Sequence, residues 1–93
     1  LTETEQQLKL RIESAKSEYR FAIEDYHNKQ ENLNLAERIE SKNQVKFFEG
    51  ISTSFDLRQA QTQLYTAQQA LLQTMLDIIT TKAELETLIN TNF

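Results

Sequence analysis

The residues able to do chemistry are few and scattered along the 93-residue chain. His27 is the only imidazole, and no Asp, Glu or His repeats around it at metal-ligand spacing on one helical face. It reads as a surface or seam-edge histidine. Asp25 stands four residues before Lys29, with Glu24 alongside, the arrangement of an ordinary helix-surface ion pair worth a few tenths of a kcal/mol. Tyr19, Tyr26 and Tyr65 fall at the spacing of apolar stripes, which makes them core residues before ligand platforms. With no cysteine, disulfides, thiolate zinc sites and thiol nucleophiles are all excluded. No phosphate-cradling glycine loop, nucleophile elbow or HExxH motif is present. The expectation is a protein that is not an enzyme, with no catalytic residue, no cofactor and no metal site.

One short stretch stands apart. FFEGISTSFD, residues 47 to 56, holds the only glycine of a chain without proline. Gly50 sits where a left-handed helix C-cap belongs, and Thr53 with Asp56 three residues on forms a T-x-x-D capping box for a following helix. Asp56 thus has a purely structural reading, a carboxylate favoured by the positive end of a helix dipole. Ile51 has none, because an apolar side chain at the apex of a hairpin has no core beneath it. Phe47 and Phe48 are expected to bury themselves against the second helix, with one of the pair facing sideways.

The elements that position this stretch follow from composition and period. Apolar residues make up 39% of the chain, and Gln, Glu, Leu, Ala and Lys dominate a sequence almost free of breakers. A single fold-back between two long helices is the architecture this allows: an all-α, antiparallel two-helix coiled-coil hairpin. The expected bounds are helix 1 over about 2–48, a tip over 49–53 and helix 2 over about 54–91. From Leu8, steps of four and three reach Ile12, Ala15, Tyr19, Ala22, Tyr26, Lys29, Leu33, Ala36, Glu40, Asn43 and Phe47, nine of the twelve being apolar. Ile39 is expected to substitute in part for Glu40 as the stripe drifts. The second helix gives Leu57, Ala60, Leu64, Ala67, Leu71, Thr74, Ile78, Thr81, Leu85 and Leu88, eight of ten apolar.

A second stripe lies one position over from that seam: Tyr65, Leu72, Met75, Ile79 and Ile89. It makes the apolar face of helix 2 wider than one partner helix can cover, so further neighbours are expected.

Charge and hydropathy exclude two partner classes. The net charge is -4 with no Lys/Arg cluster, which does not fit nucleic-acid binding. The most apolar run, LLQTMLDII at 71–79, is broken by Gln73, Thr74 and Asp77 and falls far short of the roughly 20 residues of a membrane-spanning helix. Charge is also uneven: residues 1–50 carry eight Lys/Arg and ten Asp/Glu, whereas residues 51–93 carry only Arg58, Lys82, Asp56, Asp77, Glu84 and Glu86. A start at Leu1 suggests a segment of a longer protein.

KFFEGISTSFDLRQAQTQLYTAQQALLQTMLDIITTKAELETLI resembles the C-terminal periplasmic helical hairpin of TolC-like outer membrane efflux proteins. The resemblance is carried by an aromatic and Gly50 at the tip, Asp56 six residues later, then Leu57, Ala60 and Gln61, LYTAQ at 64–68 and the closing heptad run. NLNLAERIESKNQVKFFEG before the tip resembles the preceding arm, and residues 1–30 add compatible periodicity. Such a resemblance implies one slice of a periplasmic tunnel, built from hairpins packed side by side in a homotrimer beneath an outer-membrane β-barrel. It implies passive efflux or type I secretion, with the tip, Gly50, Ile51, Ser52, Thr53, Ser54 and Phe55, docking on a periplasmic adaptor protein and through it an inner-membrane pump. Asp56 matches an acidic residue that narrows the entrance in some members, three copies repelling one another about the axis. Gln59 replaces a second acid of those members, Phe47 lacks a hydroxyl that could bond across the tip, and Ser52 stands where an Arg can latch it.

Two other readings compete. One is the hairpin of a periplasmic adaptor itself, but an Arg and a Leu expected eleven and seven residues before Ser52 are Ser41 and Val45. The other is a structural coiled-coil module without a transport role, which explains the seams and leaves the ordered tip unexplained. An isolated helix pair with a fully hydrated outer flank, Tyr65, Leu72 and Ile79 bare to solvent, would overturn the pore reading.

Overall fold

A computed structural model describes residues 3–91 and shows two α-helices and, among the described residues, no strand. Helix α1 spans Glu3–Phe48 and α2 spans Ser54–Thr91, making an all-α antiparallel hairpin. Both helices start with acid in the first turn, Glu3 and Glu5 in α1 and Asp56 in α2, and α1 carries Lys46 in its last turn. Each of these charges opposes the helix dipole favourably.

The reversal between the helices is a complete cap on each side. Gly50 has φ 75°, the left-handed conformation. That rotation lets the Ile51 amide donate to the Lys46 carbonyl at 2.8 Å and the Gly50 amide to the Phe47 carbonyl at 3.0 Å, the paired bonds of a Schellman motif. On the other side the Asp56 amide donates to Thr53 Oγ1 at 3.1 Å, and the Thr53 amide donates to Asp56 Oδ2 at 3.4 Å. Leu57 N completes the start of α2 by donating to the Thr53 carbonyl at 3.2 Å. A Cβ on Gly50 would meet nothing within 4 Å, so its replacement is opposed by backbone conformation alone. Gly50→Ala and Thr53→Ala are each expected to lower the unfolding free energy by about 1 kcal/mol in chemical denaturation.

The chain divides into two compact units. One joins residues through Tyr26 to residues from Thr74 onward, and the other is His27–Gln73. In the first, Ala15 and Ala22 are buried on α1 with Tyr19 and Tyr26 half-buried between and beyond them. Alternating small and large side chains interdigitate with the facing helix. On α2 of this unit Thr74 is buried, and Ile78, Thr81, Leu85 and Leu88 are half-buried. The Thr81 hydroxyl donates to the carbonyls of Asp77 at 2.7 Å and Ile78 at 3.2 Å, which lets a threonine occupy a seam position without an orphaned donor.

In the second unit Leu33, Ala60 and Leu71 are buried, with Ala36, Leu64 and Ala67 half-buried around them. The polar seam residues stay on the seam. Lys29, Glu40 and Asn43 are all half-buried. Asn43 Nδ2 donates to the Ile39 carbonyl at 2.9 Å, and Glu40 accepts from Gln44 Nε2 at 2.6 Å, so each is satisfied from its own helix. Ile39 does not replace Glu40: it is the more exposed of the two, at 37%. The four-three period therefore persists as far as Asn43, because the partner helix holds the seam in register.

Candidate docking tip and outer flank

The apex of the hairpin is apolar and open. Phe48 is 82% exposed, Ile51 71% and Phe55 69%, and Val45 is exposed beside them. Phe48 faces sideways, as one of the pair was expected to, while Phe47, expected to bury itself against α2, stays 37% exposed. The Phe47 and Phe48 rings meet each other edge to face, centroids 6.0 Å apart at 63°. The seam ends here because the chain must turn, which leaves the ring at position 47 only partly covered, while position 48 points off the seam.

Of the tip residues expected to dock, Gly50, Ile51, Thr53, Ser54 and Phe55 are exposed and Ser52 is half-buried. Ile51 shares a shallow groove with Lys42, Val45, Lys46 and Glu49 on the α1 side. Phe55 lies with Arg58, Gln59 and Thr62 in another on the α2 side. Two apolar anchors thus flank the turn, Ile51 bordered by mixed charge and Phe55 by Arg58 and uncharged polar groups. Asp56 is exposed, and its carboxylate already accepts the Thr53 amide. Any role for its charge is added to that capping role.

Away from the tip, the second stripe of α2 is uncovered. Tyr65, Leu72 and Ile79 are 62%, 53% and 64% exposed, next to a seam on which nothing from Leu57 to Leu88 is exposed. Sequence reading missed its counterpart on α1. Phe21 and Leu35 are exposed at the same heptad position, and Ile39 stands four residues after Leu35. The signal was available: a second count along α1, like that along α2, finds Phe21 and Leu35 fourteen residues apart.

Two exposed threonine hydroxyls of α2 bond back to their own helix. Thr62 and Thr87 donate to the carbonyls of Arg58 and Ala83 at 3.0 and 2.8 Å. His27 is exposed. No group of three or more His, Asp or Glu among the described residues could hold a metal ion, and no described helix is long and apolar enough to cross a membrane.

What fold and surface define is a helical hairpin with an apolar apex and apolar side chains left over on its flanks. No protein-family model, no curated protein and no solved structure matches the chain.

Proposed function

We propose that the hairpin is part of the periplasmic tunnel wall of a trimeric outer membrane efflux or secretion channel. Its tip docks on a periplasmic adaptor protein, which links it to an inner-membrane pump. The observation that carries this reading is the second apolar stripe of α2, open beside a closed seam. A tunnel wall needs each helix to bury two adjacent seams, and a lone hairpin has use for one. In the single hairpin Tyr65, Leu72 and Ile79 are bare, which is the outcome that counts against a pore, so the reading holds only if neighbouring hairpins cover them. The ordered tip sequence supplies the second support, with Ile51 the preferred anchor in a docking patch that Phe55 extends.

Conduction in this reading is passive. The wall encloses a wetted lumen, and three copies of Asp56 repel across the closed entrance. Because Asp56 also caps α2, the informative variant is Asp56→Asn, which keeps a side-chain oxygen for the Thr53 amide and removes the charge. Leak conductance of the full-length channel in planar bilayers is expected to rise with Asp56→Asn and with Asp56→Ala. Unchanged conductance in both takes Asp56 out of the gate.

Cysteines at Ile51 and Thr53 test docking directly. In the full-length protein they should crosslink to the adaptor while positions along the arms do not. Labelling spread evenly along both arms favours a structural coiled-coil spacer instead. Crosslinking of the tip to an outer membrane channel would make the chain the adaptor's own hairpin.

A further inference from the structure

The turn that closes the hairpin is short, and little besides Gly50 keeps it from being helix. Residues 49–53 link α1 to α2, in a chain without proline. The amides of Glu49, Gly50, Ile51 and Ser52 already donate to carbonyls at the end of α1, those of Val45, Phe47 and Lys46, at 2.8 to 3.3 Å. Glu49 bonds four residues back, as in an α-helix. Continuing the helix would exchange acceptors for the next three amides and strand none of them. What opposes it is the left-handed φ of 75° at Gly50, together with the reciprocal cap of Thr53 and Asp56. A Cβ on Gly50 meets nothing within 4 Å.

The two seams are also in phase across the turn. On α1 the alternation of four and three runs through Ala36, Glu40, Asn43 and Phe47. Continued, it reaches Gly50, Ser54 and Leu57, and Leu57 is the first seam residue of α2. Only a repeated step of three, from Leu57 to Ala60, breaks the pattern, a slip that local winding of a coiled coil absorbs. A helix running through residues 49–53 would therefore carry both seams on nearly one face. Two such helices, antiparallel, pair the α1 seam of each with the α2 seam of the other, repeating the facing residues of the hairpin. Phe47, 37% exposed at the open end of the hairpin seam, would then sit in the middle of a longer one.

We propose that residues 49–53 are a conformational switch between two pairings of one seam. As a left-handed turn they close a single chain on itself; as helix they let two copies exchange arms into an antiparallel dimer. Exchange of identical elements is a ready route to dimers because the seam contacts are the same in both states. At low concentration the hairpin wins, since its second arm is tethered beside the first. The docking apex exists only in the hairpin state, because in the other Phe48, Ile51 and Phe55 are strung along one continuous helix. The switch does not rest on the channel reading: the turn and the two periods carry it in a structural spacer equally.

Gly50→Ala tests it in the 93-residue chain. Each copy gains about fivefold from alanine over glycine in a helix and loses about as much from the left-handed turn. A dimer counts both effects twice, so its association constant is expected to rise on the order of several hundredfold in sedimentation equilibrium after refolding at high protein concentration. Gly50→Asn, whose side chain tolerates the left-handed turn, should stay close to the unmodified chain. Thr53→Ala, which removes the α2 cap and favours helix, should also move the equilibrium toward dimer. A Gly50→Ala chain no more dimeric than Gly50→Asn would overturn the proposal.

Energy transfer tells arm exchange from the packing of intact hairpins. Ser14→Cys and Glu86→Cys, both exposed and within one compact unit, place a donor and an acceptor on a single Gly50→Ala chain that has no other cysteine. When this chain is refolded in excess unlabelled Gly50→Ala, the exchanged dimer sets its two dyes about 110 Å apart along one helix and transfer is lost. Dimers that keep full transfer are intact hairpins packed together, and they sink the exchange. No adaptor is present in this measurement, so its failure leaves the channel reading standing. Loss of adaptor crosslinking at Ile51 in turn leaves the switch standing.

Discussion

Leu71→Ala is expected to remove about 2 to 3 kcal/mol of folding free energy, while Leu72→Ala, one residue along, changes it by less than about 0.5 kcal/mol. Leu71 is 9% exposed on the inter-helix seam, and Leu72 is 53% exposed on the outer stripe. The same side chain on the same helix thus meets opposite environments, separated by the 100° turn between consecutive residues. Truncating Leu71 opens a void in a core only one seam thick, where few neighbours can collapse into it. Truncating Leu72 removes surface that is already wet. Urea denaturation at dilute protein concentration, followed by circular dichroism, separates the two. Equal losses would mean that the outer stripe is packed within the single hairpin. If neighbouring copies cover Leu72, its cost should reappear in the concentration dependence of assembly and not in the dilute unfolding curve.

Ala60→Glu is expected to destabilise the hairpin by about 3 kcal/mol or more, enough to abolish the cooperative transition of a small two-helix core. Ala60 is 4% exposed, at a seam position where a small side chain is enclosed by the facing helix. A glutamate there must either carry its charge into that contact or push the helices apart. The other half-buried seam acid, Glu40, is tolerated because Gln44 donates to it and because it lies where the α1 seam is already polar. Gln61→Glu, at an exposed neighbouring position, is the control and should be nearly neutral. Thermal unfolding by circular dichroism reads both. A full-strength transition in Ala60→Glu would show that the seam does not enclose this position.

Much of this molecule was legible in its pattern. The lone glycine, the T-x-x-D box and two four-three periods name the turn, its caps and the seam, because each is a local rule satisfied within a few residues of its own position. The left-handed Gly50 and the reciprocal Thr53 and Asp56 bonds follow from those local demands. Where the pattern misleads, a longer-range choice decides. Ile39 looks like the better core residue than Glu40, yet the facing helix keeps Glu40 on the seam and leaves Ile39 on the flank. Phe47 looks like a core residue, yet the seam runs out before it can be fully covered.

The amino-acid order alone determined a helical hairpin, its reversal point and the set of apolar residues that must be hidden, since helix periodicity and cap chemistry act over one or two turns. Only the tertiary arrangement decided which of those residues the hairpin hides for itself. Two helices share one line of contact, so Leu71 is enclosed while Tyr65, Leu72 and Ile79 are not. The groove of Phe21, Asp25 and Asp77 likewise exists only because α1 and α2 lie side by side, bringing together groups more than fifty residues apart in the chain.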